Sequence, residues 1–310
     1  MSKSCILTVT QGDFLYIKEW IEFHHSIGVD LLLIGYNGKA EDFNKLPKYD
    51  YVKYFDFSFN DNEIHDNLNA SKMGCFSSFS SLEEIKTNCK IPQTNMFNTL
   101  LACVKHIYKN IDYTIIIDTD EFINIKNNSN INEFLDENFD KNNLSCMIKM
   151  CFYNTENIYY EDKPCQERFT NGFFLENGRE HDLGCFKTII NNKHEQFFDT
   201  FMNSPHTCIN GTCEKLDTND IELKHFFTKT LEEWISKFNQ NVDNDYINRF
   251  RGKVLSTFFF DGNRNVINVI TEEKMKAIPK LLEKYNVKYN PIMEENDSEI
   301  IELYKKYNNL

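Results

Sequence analysis

Along this chain, short apolar runs alternate with longer segments whose apolar residues recur every three or four positions. Ile6 to Thr10 is a β-rich run, Gln11-Gly12-Asp13 interrupts it, and Tyr16 to Ile27 has helical spacing, which predicts strand, turn and helix. Gly28 then ends the helix, and Asp30 to Tyr36, with Leu31-Leu32-Leu33-Ile34 at its centre, predicts a fully buried strand before the turn at Asn37-Gly38. A βαβ unit therefore opens the protein. Tyr51 to Phe57 alternates as a third strand, whereas Asn60 to Lys90 is rich in Ser and Asn, poorly periodic, and reads as a variable loop region.

The alternation then resumes. Phe97, Leu100, Leu101, Val104 and Ile107 share a helical face within Gln93 to Tyr108, and Tyr113 to Ile117 is a buried strand that runs into Asp118. Strands alternating with helices over the first 125 residues are what a doubly wound parallel sheet requires, and such sheets bind ligands beyond the carboxyl ends of their strands. Leu144 to Phe152, Gly184 to Asn191 and Glu222 to Phe227 are further strand candidates, and they turn the sheet mixed. Thr230 to Asn239 is an amphipathic helix through Leu231, Trp234, Ile235 and Phe238. Helices at Glu272 to Tyr285 and Ser298 to Tyr307, with Pro291 between them, form a C-terminal helical appendage. The expected organisation is thus a catalytic domain over 1–250 with residues 251–310 packed on it.

Composition narrows the functional classes. Hydrophobic residues at 41% and aromatics at 14% supply a substantial core and exclude a disordered chain. The net charge of -13, with basic residues scattered, excludes the positive stripe that a nucleic-acid backbone needs. A nucleotide diphosphate remains compatible with an acidic chain, because a divalent cation between carboxylate and phosphate reverses the local sign. The start, Met1 to Thr10, has too short an apolar run for a signal peptide, and no later stretch approaches the roughly 20 apolar residues of a membrane span. A cytoplasmic enzyme with at most peripheral membrane contact is expected. Cys5, Cys103, Cys146 and Cys151 lie in apolar segments and read as reduced core thiols, and Cys208 and Cys213 lack the spacing of a zinc site.

The chemistry concentrates at Ile117-Asp118-Thr119-Asp120-Glu121-Phe122, which sets three acids directly after a buried strand. A turn there aims Asp118 and Asp120 at one point, and hard oxygen ligands suit Mn²⁺ or Mg²⁺ with positions left open for phosphate. His225 is a candidate further ligand or diphosphate contact, since imidazole accepts borderline metals. Lys187 and Lys229 are candidates to neutralise diphosphate oxygens. His24 and His25 close an amphipathic helix and read as structural, and His206 follows Ser204-Pro205 in a loop.

Four segments carry a resemblance. Tyr16 to His24 followed by Gly28-Val29-Asp30, the Gln93 and Asn98 helix, Asp118-Thr119-Asp120-Glu121-Phe122-Ile123, and Lys224-His225-Phe226-Phe227-Thr228-Lys229-Thr230 into Trp234 appear in the order found in glycosyltransferase family 92 and related family-2-like transferases. Together they cover roughly residues 5 to 240. The chain departs from that pattern at Gln11-Gly12-Asp13, where the family has Lys-Asn-Glu, at Tyr36-Asn37, where it has Asp-Asn, and at Thr230, where Ser is usual.

The resemblance implies an α/β GT-A fold, a Rossmann-like mixed sheet flanked by helices, together with a nucleotide-sugar donor, a divalent metal and inversion at the anomeric carbon. The nucleotide is expected to be UDP and the acceptor a glycan or other glycoconjugate. Donor contacts are expected at Thr8, Thr10, Asp13, Asn37, Gln93, Asp118 and Thr119 beside Lys187 and Lys229, and metal ligands at Asp118, Asp120 and His225. An inverting displacement needs a carboxylate base on the acceptor side, and the Gly-flanked run Arg179-Glu180-His181-Asp182-Leu183 offers Asp182 first and Glu180 second, with Glu156 a rival. Two alternatives remain at this point: a metal-dependent nucleotidyltransferase, although Gln11-Gly12-Asp13 is not a Gly-rich phosphate loop, and a carbohydrate-binding protein that keeps the fold without turnover.

Overall fold

The computed structural model describes residues 2–11, 13–57, 92–127, 130–155, 157–174, 186–202, 208–209, 213–237, 258–259, 268–287 and 298–309. The loop region Asn60 to Lys90, and with it Glu156, Glu180, Asp182 and His206, lies outside the described residues. The chain divides into two compact units, residues 1–151 with 174–225 and residues 152–173 with 226–310. The second unit thus takes in 152–173 and 226–250 in addition to the segment assigned to the appendage from sequence.

In the first unit, the apolar runs of the N-terminal half become parallel strands: β1 (Ser4–Thr10), β2 (Leu31–Tyr36), β3 (Val52–Asp56) and β4 (Tyr113–Ile116). Parallel pairing with β2 on one side and β4 on the other places β1 inside the sheet, which is why Cys5, Ile6 and Leu7 are all fully buried. Helix α1 (Ile17–Ser26) connects β1 to β2, and α2 (Pro92–His106) precedes β4. One face of the sheet packs on α2 through Leu7, Leu33, Ile116, Phe97, Leu100 and Leu101.

After β4 the sheet changes direction, as the later strand candidates require. The strand order is β3-β2-β1-β4-β8-β6-β12-β5, where β5 is Glu121–Ile125, β6 Ser145–Tyr153, β8 Phe186–Asn191 and β12 Ile221–His225. β8 runs antiparallel to both β4 and β6, and β12 antiparallel to β5. Short pieces complete the unit: α3 (Ile131–Asn138), β9 (Phe201–Met202) paired with β10 (Cys208–Ile209), and β11 (Cys213–Lys215) beside β6. Asn130 caps α3 by accepting from the Asn132 and Glu133 amides.

In the second unit, α4 (Cys165–Arg168) and β7 (Gly172–Phe173) join α5 (Leu231–Lys237), α6 (Glu272–Lys284) and α7 (Ser298–Asn308). Thr230 and Glu233 form a reciprocal cap at the start of α5, with the Glu233 amide donating to Thr230 Oγ1 at 3.2 Å and the Thr230 amide to Glu233 Oε2 at 3.0 Å. Buried Arg168 donates to the same carboxylate at 3.1 Å. Trp234, Phe258, Phe259, Ile278, Leu281 and Ile300 form the core of this unit, so Phe258 and Phe259 are core residues. Among the described residues, no helix is long and apolar enough to cross a membrane.

Gly28 shows how tightly the turn after α1 is built. Its φ is +97°, and a Cβ there would lie 2.6 Å from Asn130 Nδ2. Gly28→Ala should therefore destabilise the protein by about 1–3 kcal/mol through backbone strain and displacement of the α3 cap, read as a lower denaturation midpoint in urea with unchanged slope.

Candidate active site

The site is assembled where β4 ends. The Asp118 amide donates to Glu121 Oε2 at 2.8 Å and the Glu121 amide donates back to the Asp118 carbonyl at 3.1 Å, closing a tight turn that sends the chain into β5. The expected strand end with its acids is present, and the turn separates their duties. Asp118 Oδ1 accepts from Gln93 Nε2 at 3.1 Å, and Asp118 Oδ2 accepts from Lys187 Nζ. Both oxygens of Asp118, expected among the metal ligands, are thus engaged by protein donors.

Lys187 reaches Asp118 because β8 is antiparallel to β4: Ile115 is opposite Ile189, which brings residue 187 to the level of the acid turn. Its side chain has no exposure, and its Nζ also lies 3.3 Å from Glu121 Oε1. Burial opposes the charge of this lysine, but Asp118 and Glu121 outweigh it and hold the ammonium above the ordinary lysine value. Instead of projecting toward solvent, Lys187 is the counter-charge beneath the cluster.

Glu121, not singled out from sequence, is the deepest member at 0% exposure. Burial pushes its carboxyl up to about 8, with Lys187 opposing and the charges of Asp118 and Asp120 adding to the rise. Its Oε1 makes no hydrogen bond among the described residues. His225 sits opposite Glu121 in the β5–β12 register, and its Nε2 lies 3.6 Å from Asp120 Oδ1 and 4.0 Å from Glu121 Oε1. One ligand atom each from Asp120, Glu121 and His225 falls within a 4.8 Å spread. Asp120 and His225 are therefore brought together as the sequence led us to expect, and Glu121 joins them. The available signal for Glu121 was its place in an acidic run directly after a buried strand.

The expected donor-side residues fall into three groups. Thr10, Asp13 and Asn37 meet at the carboxyl ends of β1 and β2: the Asp13 amide is 3.4 Å from Thr10 Oγ1, and the Asn37 amide donates to the Thr10 carbonyl at 2.9 Å. Thr8 is fully buried in β1, and neither its Oγ1 nor Asn37 Oδ1 has a hydrogen-bond partner among the described residues. Gln93 and Thr119 flank the acid turn, Gln93 through its bond to Asp118 and Thr119 as the half-buried residue next in sequence. Lys229 belongs to the second unit, where it is 2% exposed and held at a φ of +52°, a conformation uncommon outside glycine.

His24 and Trp20 line the inner face of α1 against this turn. Trp20 Nε1 donates to the Glu121 carbonyl at 2.8 Å. His24 Nδ1 pairs with the Trp20 carbonyl at 2.8 Å, and the Ile123 amide is 3.4 Å from Nε2. Because that nitrogen must accept, the proton sits on Nδ1 and the ring is neutral.

This mixed α/β sheet, with an acid turn at the carboxyl end of an inner strand, agrees with the GT-A-like fold expected from the sequence. Residues 3–257 match glycosyltransferase family 92, and the chain belongs to that family. Among solved structures it is similar to the mannosyltransferase Ktr4p from S. cerevisiae in complex with GDP, at 12% identity over 50% of this chain and 41% of that one, with a TM-score of 0.25. It is also similar to core-mannan synthase A (CmsA/Ktr4) from Aspergillus fumigatus in its Mn/GDP form, at 9% identity over 64% of this chain and 62% of that one, with a TM-score of 0.28. The chain spans less than two thirds of the length of either protein. No curated protein sequence matches it.

His24 makes the fold sensitive to acid. Burial lowers its folded-state value to about 3, against the ordinary 6.5, with the bond to the Trp20 carbonyl a smaller opposing effect. Between those values the unfolded chain binds the proton and the folded chain does not. The contribution is therefore complete above pH 6.5 and is lost as pH falls toward 3, at up to about 1.4 kcal/mol per pH unit. Urea titrations from pH 7 to 4 should show this slope in the wild type and a shallower one in His24→Gln.

Proposed function

We propose that this protein transfers a sugar from a nucleotide-sugar donor to a hydroxyl of a glycan or glycoconjugate, assisted by a divalent cation held by Asp120, Glu121 and His225. The observation that carries the reading is the convergence of these three side chains within 4.8 Å beside the turn that ends β4. The residues suit such an ion. Among the described residues Glu121 Oε1 is a buried acceptor without a hydrogen bond, and two carboxylates with one imidazole make a donor set for Mn²⁺, with Mg²⁺ second. Bound there, the cation would neutralise charge on the departing diphosphate.

The chain's own residues supply the rest. Lys187 and Gln93 hold Asp118 fixed, so the turn presents Asp120 and Glu121 in one geometry before any ligand arrives. Thr10, Asp13 and Asn37, gathered at the ends of β1 and β2, are suited to the nucleoside of the donor, for which a uridine diphosphate hexose is the expectation from the family resemblance. The open edge beyond the strands is where a doubly wound sheet takes its ligand. Inversion by single displacement requires a base, and we assign the acceptor proton to Asp182, with Glu180 as its neighbour in the same run.

Thermal stability measured with nucleotide diphosphates and their sugar conjugates, each with and without Mn²⁺, tests the donor assignment, because a ligand that binds the native state raises Tm. A rise that needs nucleotide and Mn²⁺ together is expected. Asp120→Ala should abolish it at unchanged unliganded Tm, and a variant that keeps the full shift would overturn the metal assignment. Stabilisation without turnover of any donor would favour a carbohydrate-binding protein that retains the fold.

The base is tested separately. Asp182→Asn should lower kcat by roughly 100-fold or more while leaving the Mn²⁺-dependent Tm shift intact, as expected for a residue that handles only the acceptor proton. Equal turnover in Asp182→Asn and loss in Glu180→Gln would move the role to Glu180.

A further inference from the structure

Among the described residues β5 stands at the end of the strand order, with β12 on one side only. The Lys126 amide donates to the Asp220 carbonyl in the β12 hairpin, so residues 122, 124 and 126 turn their main-chain groups toward β12. Glu121 and Ile123 then turn theirs outward, because alternate residues of a strand face opposite ways. An outward edge ordinarily leaves such groups to water or to another strand. Here two side chains of α1 take them: the Trp20 indole N–H binds the Glu121 carbonyl at 2.8 Å, and His24 Nε2 accepts from the Ile123 amide at 3.4 Å.

Trp20 and His24 are both fully buried and are tied to each other through the Trp20 carbonyl at 2.8 Å. Phe122, between the two tethered residues, is clamped by rings: His24 stacks on it at 5.7 Å and Phe23 lies 5.3 Å away. The helix therefore grips β5 on both sides of Phe122, immediately after the residues that converge on His225.

We propose that Trp20 and His24 are positioning residues for the acid turn, fixing the main chain of β5 so that Asp120 and Glu121 meet His225 in one geometry. Their hydrogen bonds act on the carbonyl of Glu121 and on the amide two positions later. The inference rests on the metal reading given above, since its consequence is a preorganised cation site. Removal of either tether should loosen the set of ligands more than it weakens the fold.

The test is titration of the purified 310-residue chain with Mn²⁺ alone, without donor, for the wild type, Trp20→Phe, His24→Phe and Val104→Ala. Val104 lies in a core cluster that contains no residue of α1 or β5, so it reports how far lost packing alone alters affinity. Substitutions that disturb the orientation of metal ligands typically weaken affinity about 10- to 100-fold, and a loss of that size is expected in both tether variants, with Val104→Ala close to wild type. Should Trp20→Phe fail to fold, His24→Phe, which keeps an aromatic ring against Phe122, carries the test. Wild-type affinity in a folded tether variant would overturn the proposal and leave the metal site standing. Absence of Mn²⁺ binding by the wild type would overturn the metal reading and the positioning role with it.

Discussion

A carboxylate cannot be taken out of water without a counter-charge or a proton, and the arrangement around β4 follows from meeting that condition at Glu121. With 0% exposure, the side chain would cost several kcal/mol if left charged and alone. Lys187 answers it from 3.3 Å and answers Asp118 as well. An ammonium is placed there by a strand that runs antiparallel to β4 and begins beside its carboxyl end. β8 is that strand, and the change from a parallel to a mixed sheet at β4 is thereby coupled to the charge of the site.

The other half of the constraint falls on β5. β5 opens on a buried acid and continues through Phe122 and Ile123, both fully buried, and its main chain is held separately on each edge. β12 holds one edge, and pairs Glu121 with His225 in doing so. The indole and imidazole of α1 hold the other. Since α1 also carries the chain from β1 to β2, the parallel half of the sheet and the acid turn are built on the same helix.

Much of this was legible from spacing. β1, α1, β2, β3, α2, β4, α6 and α7 appear within a few residues of their expected bounds because each has a strong period of its own. β5 was not foreseen, since Glu121-Phe122-Ile123-Asn124-Ile125 is short and is supported from outside by α1 and β12. α3 was missed for a related reason: its cap depends on Asn130, at the end of a polar run that reads as loop. Lys187 was recognisable as a candidate by its charge, but its burial depends on a partner 69 residues away. The membership of 152–173 in the second unit depends likewise on Arg168 meeting Glu233 across 65 residues. Local sequence gives no sign of either contact.

The acids of the turn divide their work according to how many of their oxygens are already committed. Asp118 has accepted Gln93 on one oxygen and Lys187 on the other, so it has become part of the scaffold. Glu121 gives Oε2 to the Asp118 amide and keeps Oε1 facing His225 and Lys187. Asp120, more exposed than Glu121, faces His225 from the solvent side. Clustered acids repel one another, and Lys187, which pairs with both Asp118 and Glu121, lowers that repulsion from beneath the turn. An Asp-x-Asp-Glu run at a strand end can therefore be stable, because the first acid is committed to protein donors and the buried last one is paired with the same lysine.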